Sequence, residues 1–293
     1  DLHPRVRRQR QMCIRDRAII FGCVFFYLEK GRNSHYMLLD VLRLRTIRLG
    51  VLLYLLLMIF NSSAMFVNVF TGIGMKLDNY QNATLGNWCM AGYAIGALSS
   101  MFLGSKGVHF KYLFAAGFLF LGLSAVFMYF EVQSAGLYER MKYPVIIRTT
   151  GMMFLYALTA AYATQRMPYK YLSTWICVML TVRMVLGPSI GGAIYSNVLQ
   201  ERQQHYIVRY AQNVDMLHPE ASASFIQTMQ GMQYQGKSKQ EALNMAALST
   251  KGRIQVQATL SAVKEMAGWT IYGCLFCMIF VLIIPYPKRK LLT

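Results

Sequence analysis

The chain has 293 residues, of which 55% are hydrophobic and only 14% charged, with a mean hydropathy of +0.34. An average soluble domain carries about 25% charged residues, so a water-soluble enzyme of ordinary composition is excluded. The net charge of +18 sits mostly in short stretches between apolar runs and lacks the pattern of a folded nucleic-acid module, so no nucleic-acid partner is expected.

Residues 1–17 carry six arginines and no initiator methionine, and they run directly into an apolar segment. The string Gln11-Met-Cys-Ile-Arg-Asp-Arg17 reads as translated sequencing-adapter sequence, a basic cytoplasmic arm being the alternative, and it is set aside from the fold. Ala18 to Leu28 looks like the tail of a membrane span cut off at its start, which implies a C-terminal fragment of a longer protein. The connector that completes 18–48 contains Tyr36-Met-Leu-Leu-Asp-Val-Leu-Arg-Leu-Arg-Thr-Ile-Arg48. It reads either as an interfacial helix, apolar on one face and basic on another, or as a solvated linker.

Apolar runs long enough to cross a bilayer follow at 49–70, 84–104, 112–131, 144–164, 172–198 and 266–286. At a rise of about 1.5 Å per residue, roughly 20 residues span a hydrocarbon core about 30 Å thick. The expected fold is an all-α integral membrane protein with six complete transmembrane helices plus part of a seventh. Five of them fall in 49–198 and the last in 266–293, which ends in a basic tail. Lys30, Arg32, Arg43, Arg45, Arg48, Lys106, Lys111, Arg166, Lys170, Lys288, Arg289 and Lys290 lie on one side of this topology. Only Lys76, Arg140 and Lys142 occupy the short loops of the other. That asymmetry predicts a cytoplasmic C-terminus.

The first complete span has a polar middle, Asn61-Ser62-Ser63, with Asn68 one helical face further on. The second holds Asn87, Trp88 and Tyr93 with the small-residue pair Gly92-x-x-x-Gly96, a close-packing face. Asn61, Asn68 and Asn87 are either helix-to-helix glue or cavity lining. The fourth span begins with Pro144 at a helix-start position and carries Arg148 about one turn in. There the guanidinium snorkels to water, pairs structurally or lines a pathway. Thr149, Thr150, Gly151, Ala157, Thr159, Ala160 and Ala161 make this helix small-sided. Trp88, Tyr93, Met152, Phe154 and Tyr156 are packing or apolar contact surface.

The most informative run is Arg183-Met184-Val185-Leu186-Gly187-Pro188-Ser189-Ile190-Gly191-Gly192, in the fifth span. An arginine inside a membrane span is expensive and faces protein or a watery cavity rather than lipid. Gly187, Gly191 and Gly192 allow close helix approach, and Pro188 frees a backbone carbonyl. The segment reads as a flexing, tightly packed helix beside a polar pathway.

Residues 199–265 form the one substantial polar region, expected to be an extracytoplasmic helical hairpin. Helix continues outward from Leu199, restarts at Pro219 and stops at Gly236. A Ser238-Lys-Gln-Glu241 capping box then opens a helix toward the final span. The six cysteines suggest no disulfide framework, and Cys274-Leu-Phe-Cys277 reads as packing rather than metal. His205 and His218 are isolated. No phosphate loop, nucleophile–base pair or metal cluster is visible, so neither an enzymatic reaction nor a cofactor is expected.

The order of these features resembles the C-terminal half of a major facilitator superfamily transporter. More narrowly, it resembles the fourteen-span drug:proton antiporter family of EmrB- and QacA-type exporters. Tyr36 to Arg43 is similar to the connector before the ninth span. Gly104 to Tyr112 sits where the tight basic loop does, without the usual Asp-Arg pair. Arg183 with Gly187, Gly191 and Gly192 resembles the arginine and glycine run of the thirteenth span. Gln257-Ala258, with Glu265 where Asp is usual, resembles the lead-in to the last. The Gly187-Pro188-x-x-Gly191-Gly192 string is also similar to the fifth-span antiporter motif, but only one more span follows it here. The resemblance implies two bundles rocking around a central cavity in a bacterial inner membrane. Its cargo would be lipophilic small molecules, its drive proton entry, and its outer hairpin a docking surface for a periplasmic adaptor. It also makes Arg183 a structural or conformational element near the cavity, with the glycines around it a hinge and packing surface. A metabolite, lipid or peptide exporter, or a non-transporting scaffold or receptor, are the alternatives. No Asp or Glu lies inside the six runs except Glu131 at a span end, so coupling acids are expected outside this chain.

Overall fold

The computed structural model describes residues 44–133, 137–165, 167–213 and 219–286, together with the isolated positions Ile20, Val24 and Tyr27. The readings of 1–17, of most of 18–43 and of the basic tail from Pro287 fall outside the described residues, as does His218. Among the described residues the chain is helical throughout, with no strand.

The elements in order are α1 (Arg45–Asn61), α2 (Ala64–Val69), a π-helical turn (Phe70–Gly74), α3 (Asn79–Ser105), α4 (Phe110–Glu131) and α5 (Tyr138–Thr164). A 3-10 turn (Tyr169–Tyr171), α6 (Leu172–Thr181), a second π-helical turn (Val182–Leu186), α7 (Gly187–Asn213), α8 (Pro219–Tyr234) and α9 (Lys239–Ile283) complete it. Five helical stretches are long and apolar enough to cross a membrane: Arg45–Gly74, Phe110–Glu131, Tyr138–Thr164, Tyr169–Gln212 and Lys239–Ile283. The sequence reading expects six. The missing one is α3, whose 27 residues suffice in length. Asn87, Trp88, Tyr93 and the run of glycines and serines dilute its apolar character below that of the others.

Packing follows the small residues. α3 lies along α5, α4 along both α5 and α9, and α1 along α5 and α7. At Gly92 a Cβ would overlap Thr149 Oγ1 and approach the Ile146 carbonyl oxygen to 2.6 Å, and at Gly96 it would reach the Thr150 carbonyl oxygen at 2.5 Å. The α3 backbone therefore rests directly on that of α5 through this stripe, which continues to buried Ser100. Leu53, Tyr54, Leu57, Phe114, Phe118, Leu155, Cys274 and Cys277 build one core where α1, α4, α5 and α9 meet. A second, around Phe66, Phe70, Met128, Val145, Leu260 and Val263, joins α2 and its π turn to α4, α5 and α9. The far end of α9 is tied down by Tyr286, which stacks on Phe114 at 5.9 Å and meets Tyr162 edge-on at 5.5 Å.

Outside the apolar slab, α7 runs on without a break to Asn213, and α9 is 45 residues long, from Lys239 to Ile283. Its start is capped on both sides. Ser238 Oγ accepts from the Glu241 amide at 3.3 Å, and the Ser238 amide donates to Glu241 Oε2 at 3.2 Å. Gly236, at φ +84°, makes the left-handed turn that a helix stop needs.

Candidate functional site

Two departures from regular helix shape the site. The first run is not one helix: α1 ends at Asn61, Ser62 and Ser63 form a turn, and α2 restarts at Ala64. Short polar side chains there compete for backbone hydrogen bonds, and Ser62 Oγ donates back to the Met58 carbonyl at 3.3 Å. The second departure is the π turn Val182–Leu186, which carries Arg183 and leads into Gly187-Pro188. Proline removes one ladder hydrogen bond, and a π turn just upstream is a common way to absorb that change.

Pro144 is not at a helix start. α5 begins six residues earlier, at Tyr138, and Pro144 lies inside it. Ser124 Oγ of α4 donates to the Pro144 carbonyl at 2.8 Å. Arg148 is thus ten residues into a 27-residue helix, about 15 Å along it, just past the charged stretch Glu139-Arg140-Met141-Lys142. Its Nη1 donates to Asn61 Oδ1 at 3.1 Å, at the break after α1. Its Nε is buried without a hydrogen-bond partner. A hydrogen bond from a charged donor contributes about 1.5–3 kcal/mol.

Arg183 belongs to the same side of the molecule. Its guanidinium carbon lies 5.1 Å from the centroid of the Tyr156 ring. Tyr156 in turn packs edge-on against Tyr54 at 5.1 Å, and its hydroxyl lies 3.4 Å from Met58 Sδ. Tyr93 of α3, itself exposed, is an electrostatic neighbour of both Arg148 and Tyr156. The result is a strip, Arg183–Tyr156–Tyr54–Met58 and Asn61–Arg148 with Tyr93 alongside, drawn from four helices. Among the described residues, neither arginine has a carboxylate partner within ion-pair distance.

Gly187 and Gly191 seat this strip. A Cβ at Gly187 would overlap the Met58 side chain, and one at Gly191 would overlap Ser62 Oγ and stand 3.1 Å from the Ile59 Cα. Gly192 differs, with nothing within 4 Å of where its Cβ would be. Pro188, Asn68 and Asn87 are exposed and take no part in the strip. Met152 and Phe154 are buried core, while Trp88 is exposed beneath Lys142.

So the geometry brings together Arg183, Gly187, Gly191, Arg148 and Asn61, and leaves Pro188, Asn68 and Asn87 exposed and Gly192 half-buried outside the strip. The sequence reading omits Tyr54 and Met58. Their spacing to Asn61 and Ser62 was the available signal, since positions 54, 58, 61 and 62 share one helical face. The arrangement holds two cations beside a helix break and a π turn, with no nucleophile–base pair among the strip residues. No family model matches this chain, and no curated protein matches it either.

Proposed function

We propose that this chain is the C-terminal bundle of a secondary active transporter of the major facilitator type, exporting lipophilic compounds across a bacterial inner membrane by alternating access. The observation that carries this reading is the strip itself. Among the described residues neither arginine of the strip has an acidic partner: Arg183 is exposed over an aromatic ring, and Arg148, half-buried, is held by an amide. Arginine in a membrane span belongs against protein or a watery cavity, so the strip suits a second bundle and a central pathway. The break at Ser62-Ser63 and the π turn before Gly187 provide backbone where one helix can shift against another. Proton entry supplies the drive, with the coupling acid on the facing bundle. The α7–α9 extension is the docking surface for a periplasmic adaptor.

Arg183→Ala tests this in cells expressing the full reading frame. Efflux of a lipophilic fluorescent dye is lost while the amount of protein in the membrane is unchanged. Wild-type efflux from that variant would sink the assignment.

The two arginines also favour a second reading of the cargo, an anionic metabolite, lipid or peptide in place of a cationic drug. Competition decides between them. Lipophilic anions slow dye export on the second reading, and lipophilic cations do so on the first.

A further inference from the structure

Away from the strip, a groove of about 720 Å³ runs along α9 between the end of α4 and the outward part of α7. It changes character along its length. Tyr272, Ile271, Trp269, Val126 and Phe130 line the end toward the apolar half of α9, and Ser261, Lys264, Glu265, Tyr206 and Tyr210 line the other. From Tyr272 to Ser261 the helix rises about 16 Å, about half the thickness of a bilayer's hydrocarbon core. Aromatic side chains with one apolar and one polar end collect at the headgroup level. Trp269 and Tyr272 are exposed here.

The charges at the polar end are of unequal availability. Glu265 is engaged, pairing with Arg202 at 3.6 Å, while the Arg202 guanidinium also lies 5.1 Å over the Trp269 ring. Tyr210 and Ser261 share a hydrogen bond of 2.7 Å. The Lys264 ammonium rests 4.9 Å over the Tyr129 ring and, among the described residues, has no carboxylate within 4 Å. Gly268 opens the middle of the groove, since a Cβ there would meet nothing nearer than the Tyr129 ring at 3.8 Å. An available cation over an aromatic floor, next to an apolar trough, complements an anionic headgroup with its acyl chain attached.

We propose that this groove binds an anionic phospholipid, its phosphate against Lys264 and one acyl chain along Trp269, Ile271 and Tyr272. The site rests on the chain being embedded in a membrane but not on its being a transporter.

Trp269 reports on it directly. The chain is reconstituted into phosphatidylcholine vesicles containing a minor share of brominated phosphatidylglycerol or the same share of brominated phosphatidylcholine. The signal of Trp269 is the difference between wild type and Trp269→Phe. Brominated phosphatidylglycerol quenches it as if enriched about fivefold, the weight of one interfacial cation. Lys264→Gln removes that preference and Lys264→Arg keeps it. Gly268→Leu, which fills the trough without disturbing a packed neighbour, lowers quenching by either lipid. Equal quenching by the two lipids in wild type, or an unchanged preference in Lys264→Gln, overturns the proposal. Inorganic phosphate at matched ionic strength leaves the quenching unaltered. Relief of quenching by phosphate would mean a free-anion site and would overturn the lipid assignment.

Discussion

Arg148 and Arg202 are the same residue type on adjoining parts of one helical bundle, and the chain treats them in opposite ways. Arg202, on the outward part of α7, has Glu265 at 3.6 Å and the Trp269 ring at 5.1 Å. Arg148, inside α5, has one amide oxygen at 3.1 Å and a buried Nε with no partner. Charge is balanced where water is close and left unbalanced where it costs most. A bundle selected for stability alone would show the reverse, because an unpaired buried charge destabilises far more than an exposed one. On the proposed function, the group that Arg148 lacks among the described residues is supplied by cargo or by the facing half of a carrier.

The sharpest way to break that contrast is Arg148→Met. If the charge serves transport, efflux falls about a hundredfold, some 2.7 kcal/mol, while the thermal unfolding temperature in detergent holds or rises. Replacing a poorly compensated buried charge by an apolar side chain of similar length is often neutral or stabilising. A variant that unfolds early and is inactive would instead make Arg148 a structural clamp on the α1 break. Asn61→Leu separates the two further, since it leaves the charge in place and removes its one hydrogen-bond partner.

The seat of the strip comes next in size. Gly191→Ala forces a Cβ into Ser62 at the end of α1, and overpacking of this kind costs about 1–3 kcal/mol. A lower unfolding temperature, with partial recovery in Gly191→Ala/Ser62→Gly, is the expected result. Full stability in the single variant would mean that α7 does not press on α1.

Arg202→Met probes the balanced partner, and its effect is smaller. The pair is partly exposed, with about a third of the Arg202 side chain open to solvent, so its loss costs about 1 kcal/mol or less. Efflux stays within twofold of wild type. Arg202→Met/Glu265→Gln, which leaves no charge stranded, recovers most of the lost stability. A large loss of efflux from Arg202→Met alone would erase the distinction between the two arginines.

Much of this was legible in the sequence, for identifiable reasons. Apolar run length located the helices, and the Ser238–Glu241 capping box and Gly236 marked the start of α9 because both act through local hydrogen bonds and backbone angles. Arg183, Gly187 and Gly191 stood out because a charge and close-packing residues are rare in one apolar run. What depends on long-range register was hidden. Taking Pro144 as a helix start puts Arg148 about one turn in, whereas Tyr138 to Tyr143 extend the helix by nearly two turns before Pro144. The Arg148–Asn61 bond spans 87 positions, and Arg202, Glu265 and Trp269 meet only because α7 and α9 lie side by side. The break at Ser62-Ser63 was flagged as polarity but not as a chain interruption, since polar pairs also occur within intact helices.

The smallest effect is the most discriminating, and it concerns Gly192. Its neighbour Gly191 is pressed against α1, yet a Cβ at Gly192 meets nothing within 4 Å. Gly192→Ala therefore leaves stability within about 0.5 kcal/mol, or raises it slightly, because alanine favours helix over glycine by up to about 1 kcal/mol. Among the described residues nothing explains a glycine at that position. If the open face meets lipid, Gly192→Leu is also tolerated and efflux is untouched. If a second bundle closes over the face during the transport cycle, Gly192→Leu leaves the unfolding temperature in place and slows efflux several-fold, because the added side chain obstructs a contact that forms only on closure. Gly191→Leu, damaging in both cases, cannot make that distinction. The pair of glycines thus separates packing within the bundle from packing against a partner, one residue apart.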